Sequence, residues 1–138
     1  MCFVSRGATA DKEPAGDPSM EHDSARSTIL VVDDDPAVLE YASCVLEECG
    51  YAVLAAHDGA SALVILRSGG RIDLLFTDLQ MPGFDGIELA RRAGAQVPGL
   101  KVLFTSGYST DPALGGDLLA KPYRPQQLAG AVAAVLAR

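Results

Sequence analysis

Hydrophobic and polar positions along the chain alternate between two periods, and strands predicted from one regularly precede helices predicted from the other. Thr28–Val32 is a continuous apolar, β-branched run, the pattern of a strand buried on both faces. It stops at Asp33-Asp34-Asp35-Pro36, where Asp35 suits an N-cap and Pro36 a first helical position. Val38, Leu39, Ala42, Val45, Leu46 and Cys49 then form one helical stripe that Gly50 ends. Residues 51–56 predict a second strand. Asp58 caps a second helix with Ala62, Ile65 and Leu66 inward, and Gly69-Gly70 terminates it.

Residues 72–77 predict the central strand, which runs into Asp78. Met81-Pro82-Gly83 breaks the chain after it, and Asp85 three positions before Glu88 has capping-box spacing. The third helix carries Ile87, Leu89, Ala90 and Ala93 inward. Pro98-Gly99 is a turn, residues 100–105 a fourth strand and Leu118–Ala120 a short fifth. A last helix starts at Pro125 and buries Leu128, Val132, Val135 and Leu136. Strands alternating with helices predict an α/β fold, a doubly wound five-stranded parallel sheet. Residues 107–117 break the alternation: three glycines and a proline in eleven residues leave room for at most one helical turn. Residues 1–26 lack periodicity and are rich in Ala, Gly, Pro, Ser and acids, the composition of a disordered leader before a domain at 27–138. Met20 is an alternative start.

Composition narrows the classes. Hydrophobic residues make up 49% and charged residues 21%, which suits a soluble globular domain. A net charge of −7 argues against a nucleic-acid surface, and no apolar run has membrane-spanning length. Cys2, Cys44 and Cys49 lack metal-ligand spacing, so reduced cytoplasmic thiols are expected. His22 and His57 read as solvated, and Tyr41 and Tyr51 as packing residues only.

The candidate chemistry sits at the strand ends: Asp33 and Asp34 after the first strand, Asp78 after the third, Ser106 after the fourth, Lys121 after the fifth. In a doubly wound sheet these share one edge, where ligands bind. Three carboxylates brought together repel, and a divalent cation resolves that. An all-oxygen set suits Mg²⁺ (or Mn²⁺) better than zinc. A carboxylate beside such an ion can act as a nucleophile toward phosphorus, with Lys121 balancing charge.

The segments ILVVDDDP, LLFTDLQMPGFDG, VLFTSGY and LLAKPY stand in this order across residues 28–138. Together they resemble the receiver domain of two-component response regulators. The resemblance implies the flavodoxin-like receiver topology, and a protein that catalyses only its own phosphorylation and dephosphorylation. Asp78 is then the phosphoacceptor, fed by a histidine kinase or a histidine phosphotransfer protein. Mg²⁺ is ligated by Asp34, Asp78 and the backbone carbonyl of Gln80, with Asp33 acting through water. Ser106 is the hydroxyl switch, the Gly107 amide contacts the phosphoryl group, Lys121 pairs with it, and Lys121-Pro122 is cis. Tyr108 flanks the path of a hydrolytic water, so slow autodephosphorylation is expected. Two departures stand out. The interval from Ser106 to Lys121 is short, which leaves the family's helix between the fourth and fifth strands a remnant. Leu118 takes the place of an aromatic switch. Both argue against the family's usual signalling face, so signalling by ordering of residues 107–117 is expected. A short receiver with a Ser-Gly-Tyr stretch resembles those that act alone or within a hybrid histidine kinase. No output domain is read after the last helix, and oligomeric state is left open.

Competing readings are weaker. An aspartyl phosphatase of the haloacid dehalogenase type wants a second acid where Gln80 stands. A flavodoxin-like electron carrier needs a first loop that cradles phosphate, which Asp33 to Asp35 repel. A pseudo-receiver that only binds partner proteins has no need of the complete acidic set.

Overall fold

The computed structural model describes residues 26–107 and 118–138. The expectations for the leader, for Tyr108 and for the segment after Gly107 fall outside the described residues. The elements in order are β1 (Thr28–Val32), α1 (Pro36–Glu48), β2 (Ala52–Ala56), α2 (Gly59–Arg67), β3 (Leu74–Asp78), α3 (Gly86–Gln96), β4 (Lys101–Ser106), β5 (Leu118–Ala120) and α4 (Pro125–Leu136). The five strands form one parallel sheet in the order β2-β1-β3-β4-β5. From β1 the chain steps to one side and then returns to the other. The reversal opens a crevice between the carboxyl ends of β1 and β3.

Alternating side chains feed two cores. Ile29, Val31, Leu74, Phe76 and Leu103 pack toward α1 and α4, while Leu30, Val32 and Leu75 pack toward α2 and α3. Covering both faces explains why these strands are apolar without interruption. Three aspartates start helices as anticipated: Asp35, Asp58 and Asp85 accept hydrogen bonds from the backbone N–H groups of Ala37, Ser61 and Glu88. At the other end of the sheet, the Lys101 ammonium donates to the carbonyls of Leu136 and Arg138 and ties the end of α4 to β4.

Several local expectations are corrected. β2 and β4 each begin one residue late, and β3 runs from Leu74 through Asp78 instead of starting at Ile72. Asp73 precedes the strand because its carboxylate accepts from the Thr28 N–H at 2.8 Å. The capping box at Asp85 is only half made, since the Glu88 carboxylate turns instead to Arg91 and Arg92. Their hydrogen bonds and charges hold Glu88 well down, at about 2. Ile87 is 49% exposed, as it lies about 200° around the helix from buried Leu89. Cys49 is exposed at the end of α1, where the chain turns away through Gly50 with φ +99°. Leu63, not singled out from the pattern, is buried instead.

Tyr41 does more than pack. Its hydroxyl donates to the Tyr123 carbonyl at 3.1 Å, and its ring lies 5.8 Å from that of Tyr123. The Tyr123 ring also meets Phe76 edge-on, and its own hydroxyl is buried with no hydrogen-bond partner among the described residues. Burial, chiefly, pushes that phenol well above its ordinary range. An unpartnered buried hydroxyl costs about 1–3 kcal/mol. Tyr123→Phe should therefore raise stability by about 1 kcal/mol in urea unfolding; a clear loss would mean that the hydroxyl does have a partner.

Candidate functional site

Register brings the acids together. Val32 pairs with Thr77 across β1 and β3, so Asp33 and Asp78, each one residue further on, emerge side by side at the crevice. Asp33 is 3% exposed and Asp78 7%, whereas Asp34 faces solvent. One carboxylate oxygen from each of Asp33, Asp34 and Asp78 lies within 4.8 Å of the other two.

Lys121 joins them from the end of β5. Its ammonium is 3.1 Å from Asp33 Oδ2 and 3.1 Å from Asp78 Oδ2. The Lys121 backbone N–H donates to the Ser106 carbonyl at 2.9 Å, fixing the lysine beside β4. The peptide between Lys121 and Pro122 is cis, as the resemblance implies. Asp33 Oδ1 accepts from the Asp35 N–H at 2.9 Å, and the Asp33 N–H donates to the Ala56 carbonyl. Asp78 Oδ1 accepts from the Gln80 N–H at 3.3 Å. Ser106 is buried at the end of β4, next to Thr105, which pairs with Asp78, and Gly107 is exposed beyond it. Leu118 is half-buried and pairs with Phe104.

Burial pushes the Asp33 carboxyl up, against the lowering pull of the Asp35 N–H and the Lys121 ammonium. Burial works the other way on Lys121 and would lower it. Its hydrogen bonds and charge contacts with Asp33 and Asp78 outweigh burial and raise it. The two partners thus shift the same way for different reasons: desolvation decides at Asp33, pairing at Lys121. Among the described residues, three acids against one ammonium leave a negative, oxygen-only donor set. That chemistry fits a hard divalent cation such as Mg²⁺.

One supporting residue was not singled out from the sequence. Gly86 opens α3 directly under the strand end, its N–H donating to the Leu79 carbonyl at 2.9 Å. A Cβ on Gly86 would lie 2.2 Å from the Asp78 carbonyl oxygen and 3.0 Å from Leu79 Cα. These are backbone atoms and cannot step aside cheaply. Gly86→Ala should destabilise the fold by about 3 kcal/mol in urea unfolding, and wild-type stability would show that the approach is looser. The available signal was a glycine at a first helical position, where propensity alone disfavours it.

Comparison with known proteins agrees with this geometry. The model of the response regulator receiver domain matches residues 29–133. The DNA-binding response regulator MtrA of Mycolicibacterium smegmatis is 37% identical over 123 residues, covering 84% of this chain and 53% of that protein. The chain thus spans about half the length of several curated relatives that it matches. The response regulator receiver protein CpdR of Brucella abortus is 35% identical over 115 residues, covering 78% of this chain and 95% of CpdR. Among solved structures, the receiver domain of the hybrid histidine kinase CckA superposes with a TM-score of 0.71 at 40% identity, over 80% of this chain and 99% of that one. A response regulator receiver protein from Sinorhizobium medicae gives 0.74 at 32% identity, over 81% and 95%. With a five-stranded parallel sheet in receiver order and the family's model matched over most of its length, this chain belongs to the response regulator receiver domain family.

Proposed function

We propose that the chain takes one phosphoryl group onto Asp78 from the phosphohistidine of a histidine kinase or a histidine phosphotransfer protein, and changes conformation on doing so. The observation that carries this reading is the cluster itself: three carboxylates within 4.8 Å, with Lys121 at 3.1 Å from two of them. An Asp78 oxygen bonds to phosphorus as the phosphorus–nitrogen bond to the donor imidazole breaks, and the departing ring takes up a proton from water. Asp34, Asp78 and the Gln80 carbonyl, with Asp33 through water, would hold Mg²⁺ (or Mn²⁺). Bound there, the ion neutralises charge on the transferring phosphoryl oxygens.

The chain's own groups do the rest. Lys121 leaves its carboxylate partners to pair with the phosphoryl group. The Gly107 amide and the Ser106 hydroxyl donate to its oxygens. Leu118, aliphatic and without a hydroxyl, cannot make the swap an aromatic ring would make there. The reading is of a signalling domain whose only substrate is itself, working in the cytoplasm. The net charge of −7 argues against a nucleic-acid surface of its own, whatever DNA a longer relative binds. CckA and CpdR, a kinase-borne receiver and a short receiver protein, support a place in a phosphorelay.

The test is direct. Acetyl phosphate with Mg²⁺ should add one phosphoryl group per chain by intact mass, and chelation should prevent it. Absence of labelling at any Mg²⁺ concentration would leave only a protein-binding role.

A further inference from the structure

The loop that follows Asp78 is clamped by a contact that no local pattern announces. Gly83, with φ +86°, swings the chain so that Phe84 reaches α2. There the ring lies over the bare Cα of Gly59, the first residue of that helix: a Cβ on Gly59 would stand 2.4 Å from Phe84 Cε1 and 2.7 Å from Cζ. The Arg92 guanidinium covers the ring, 4.4 Å from its centroid, and is held by Glu88 at 2.7 Å. Phe84 is therefore caught between α2 and a charged lid from α3. Both ends of this clamp lead to the acids. Ala56 and Asp58 stand just before Gly59, and the Ala56 carbonyl accepts from the Asp33 N–H. Phe84 sits four residues past Gln80, whose N–H holds Asp78 Oδ1.

We infer that Phe84, seated on Gly59, is a positioning residue for Asp78, setting the loop of residues 79–85 against the β2–α2 turn so that Asp78 and Gln80 keep their place beside Asp33. This deepens the phosphoacceptor reading and rests on it. The bland alternative is a hydrophobic staple, in which Phe84 before the N-cap Asp85 merely packs near Leu89 and stabilises α3. A staple would change unfolding and leave the chemistry of Asp78 alone.

The two roles separate in a suppressor experiment on the full chain. Gly59→Ala should push the ring off its seat. The first-order rate of labelling by saturating acetyl phosphate should fall about tenfold to a hundredfold, as displacements near 1 Å do. The Mg²⁺ concentration for half-maximal labelling should rise with it. Phe84→Leu shortens the ring and should be mild. Combining Phe84→Leu with Gly59→Ala should restore most of the lost rate, because the leucine leaves room for the new methyl group. Wild-type rate and Mg²⁺ dependence in Gly59→Ala, or a double variant no better than Gly59→Ala, overturns the proposal. If Gly59→Ala does not fold alone, Phe84→Ala decides: unchanged labelling rate and Mg²⁺ dependence overturn the proposal, and losses in both support it. If the wild-type chain itself never labels, the phosphoacceptor reading fails separately. The seat is then read from the amide resonances of residues 78–81, which Gly59→Ala should move and the double variant return; unmoved resonances overturn it.

Discussion

Asp78→Asn should abolish labelling by acetyl phosphate at every Mg²⁺ concentration while leaving the fold intact. The substitution keeps the size and planarity of the side chain, and the amide oxygen can still accept from the Gln80 N–H. It removes the oxygen proposed to attack phosphorus, and with it one of the three charges that converge within 4.8 Å. Relief of repulsion between Asp78 and Asp33 should keep the variant at least as stable as wild type once divalent ions are chelated. Loss of labelling with unchanged or higher stability is thus the expected pair of results. Should Asp78→Asn label to the wild-type extent, the acceptor lies elsewhere.

Lys121→Met should have the largest effect on stability, and one that depends on pH and metal. The lysine side chain is 22% exposed, against 4% for Asp33 and 10% for Asp78, so its two contacts of 3.1 Å are shielded from water. Methionine fills the stem but leaves buried carboxylates facing one another without a cation. Breaking such a pair from one side costs about 3–5 kcal/mol. The sign with pH follows from linkage. Burial already raises the Asp33 carboxyl in the folded chain, and removing the ammonium raises it further. A folded value above the unfolded one means that the penalty is absent below the unfolded value, near 3.9, and grows as pH rises through the folded value. Urea unfolding with chelator should therefore show a large loss at about pH 7 and a small one at about pH 4. Adding Mg²⁺ at about pH 7 should recover part of the loss. Equal stability of variant and wild type with chelator at about pH 7 would show that Lys121 does not hold the acids together.

Much of this fold is legible because its signals are local. A strand covered on both faces must be largely apolar, so Thr28–Val32 and the apolar start of Leu74–Asp78 announce themselves. An aspartate at a helix start satisfies backbone N–H groups within its own first turn, and Asp35, Asp58 and Asp85 do so here. Periodicity misleads where one face is not enough. Ile87 has the right chemistry for a core position, but the buried line of α3 runs through Gly86, Leu89 and Ala93. Glu88 stands at capping-box distance from Asp85, yet two arginines on the next turn compete for its carboxylate and win it.

The sequence by itself determined which residues could carry chemistry: carboxylates, a hydroxyl and a lysine, each at the end of an apolar strand. Those placements follow from the rule that a buried strand cannot end in charge without reaching the sheet edge. Only the tertiary structure decided who touches whom. Lys121 bridges Asp78 across forty-three residues of chain and binds Asp33 in the same stroke. Gly86 must lack a side chain because α3 presses on the Asp78 carbonyl, and Gly59 because Phe84 crosses over from another loop. Tyr41 finds the Tyr123 carbonyl eighty-two residues away. Contacts of this kind depend on how separate elements pack in space, and a pattern read along one element carries no record of its neighbour's surface.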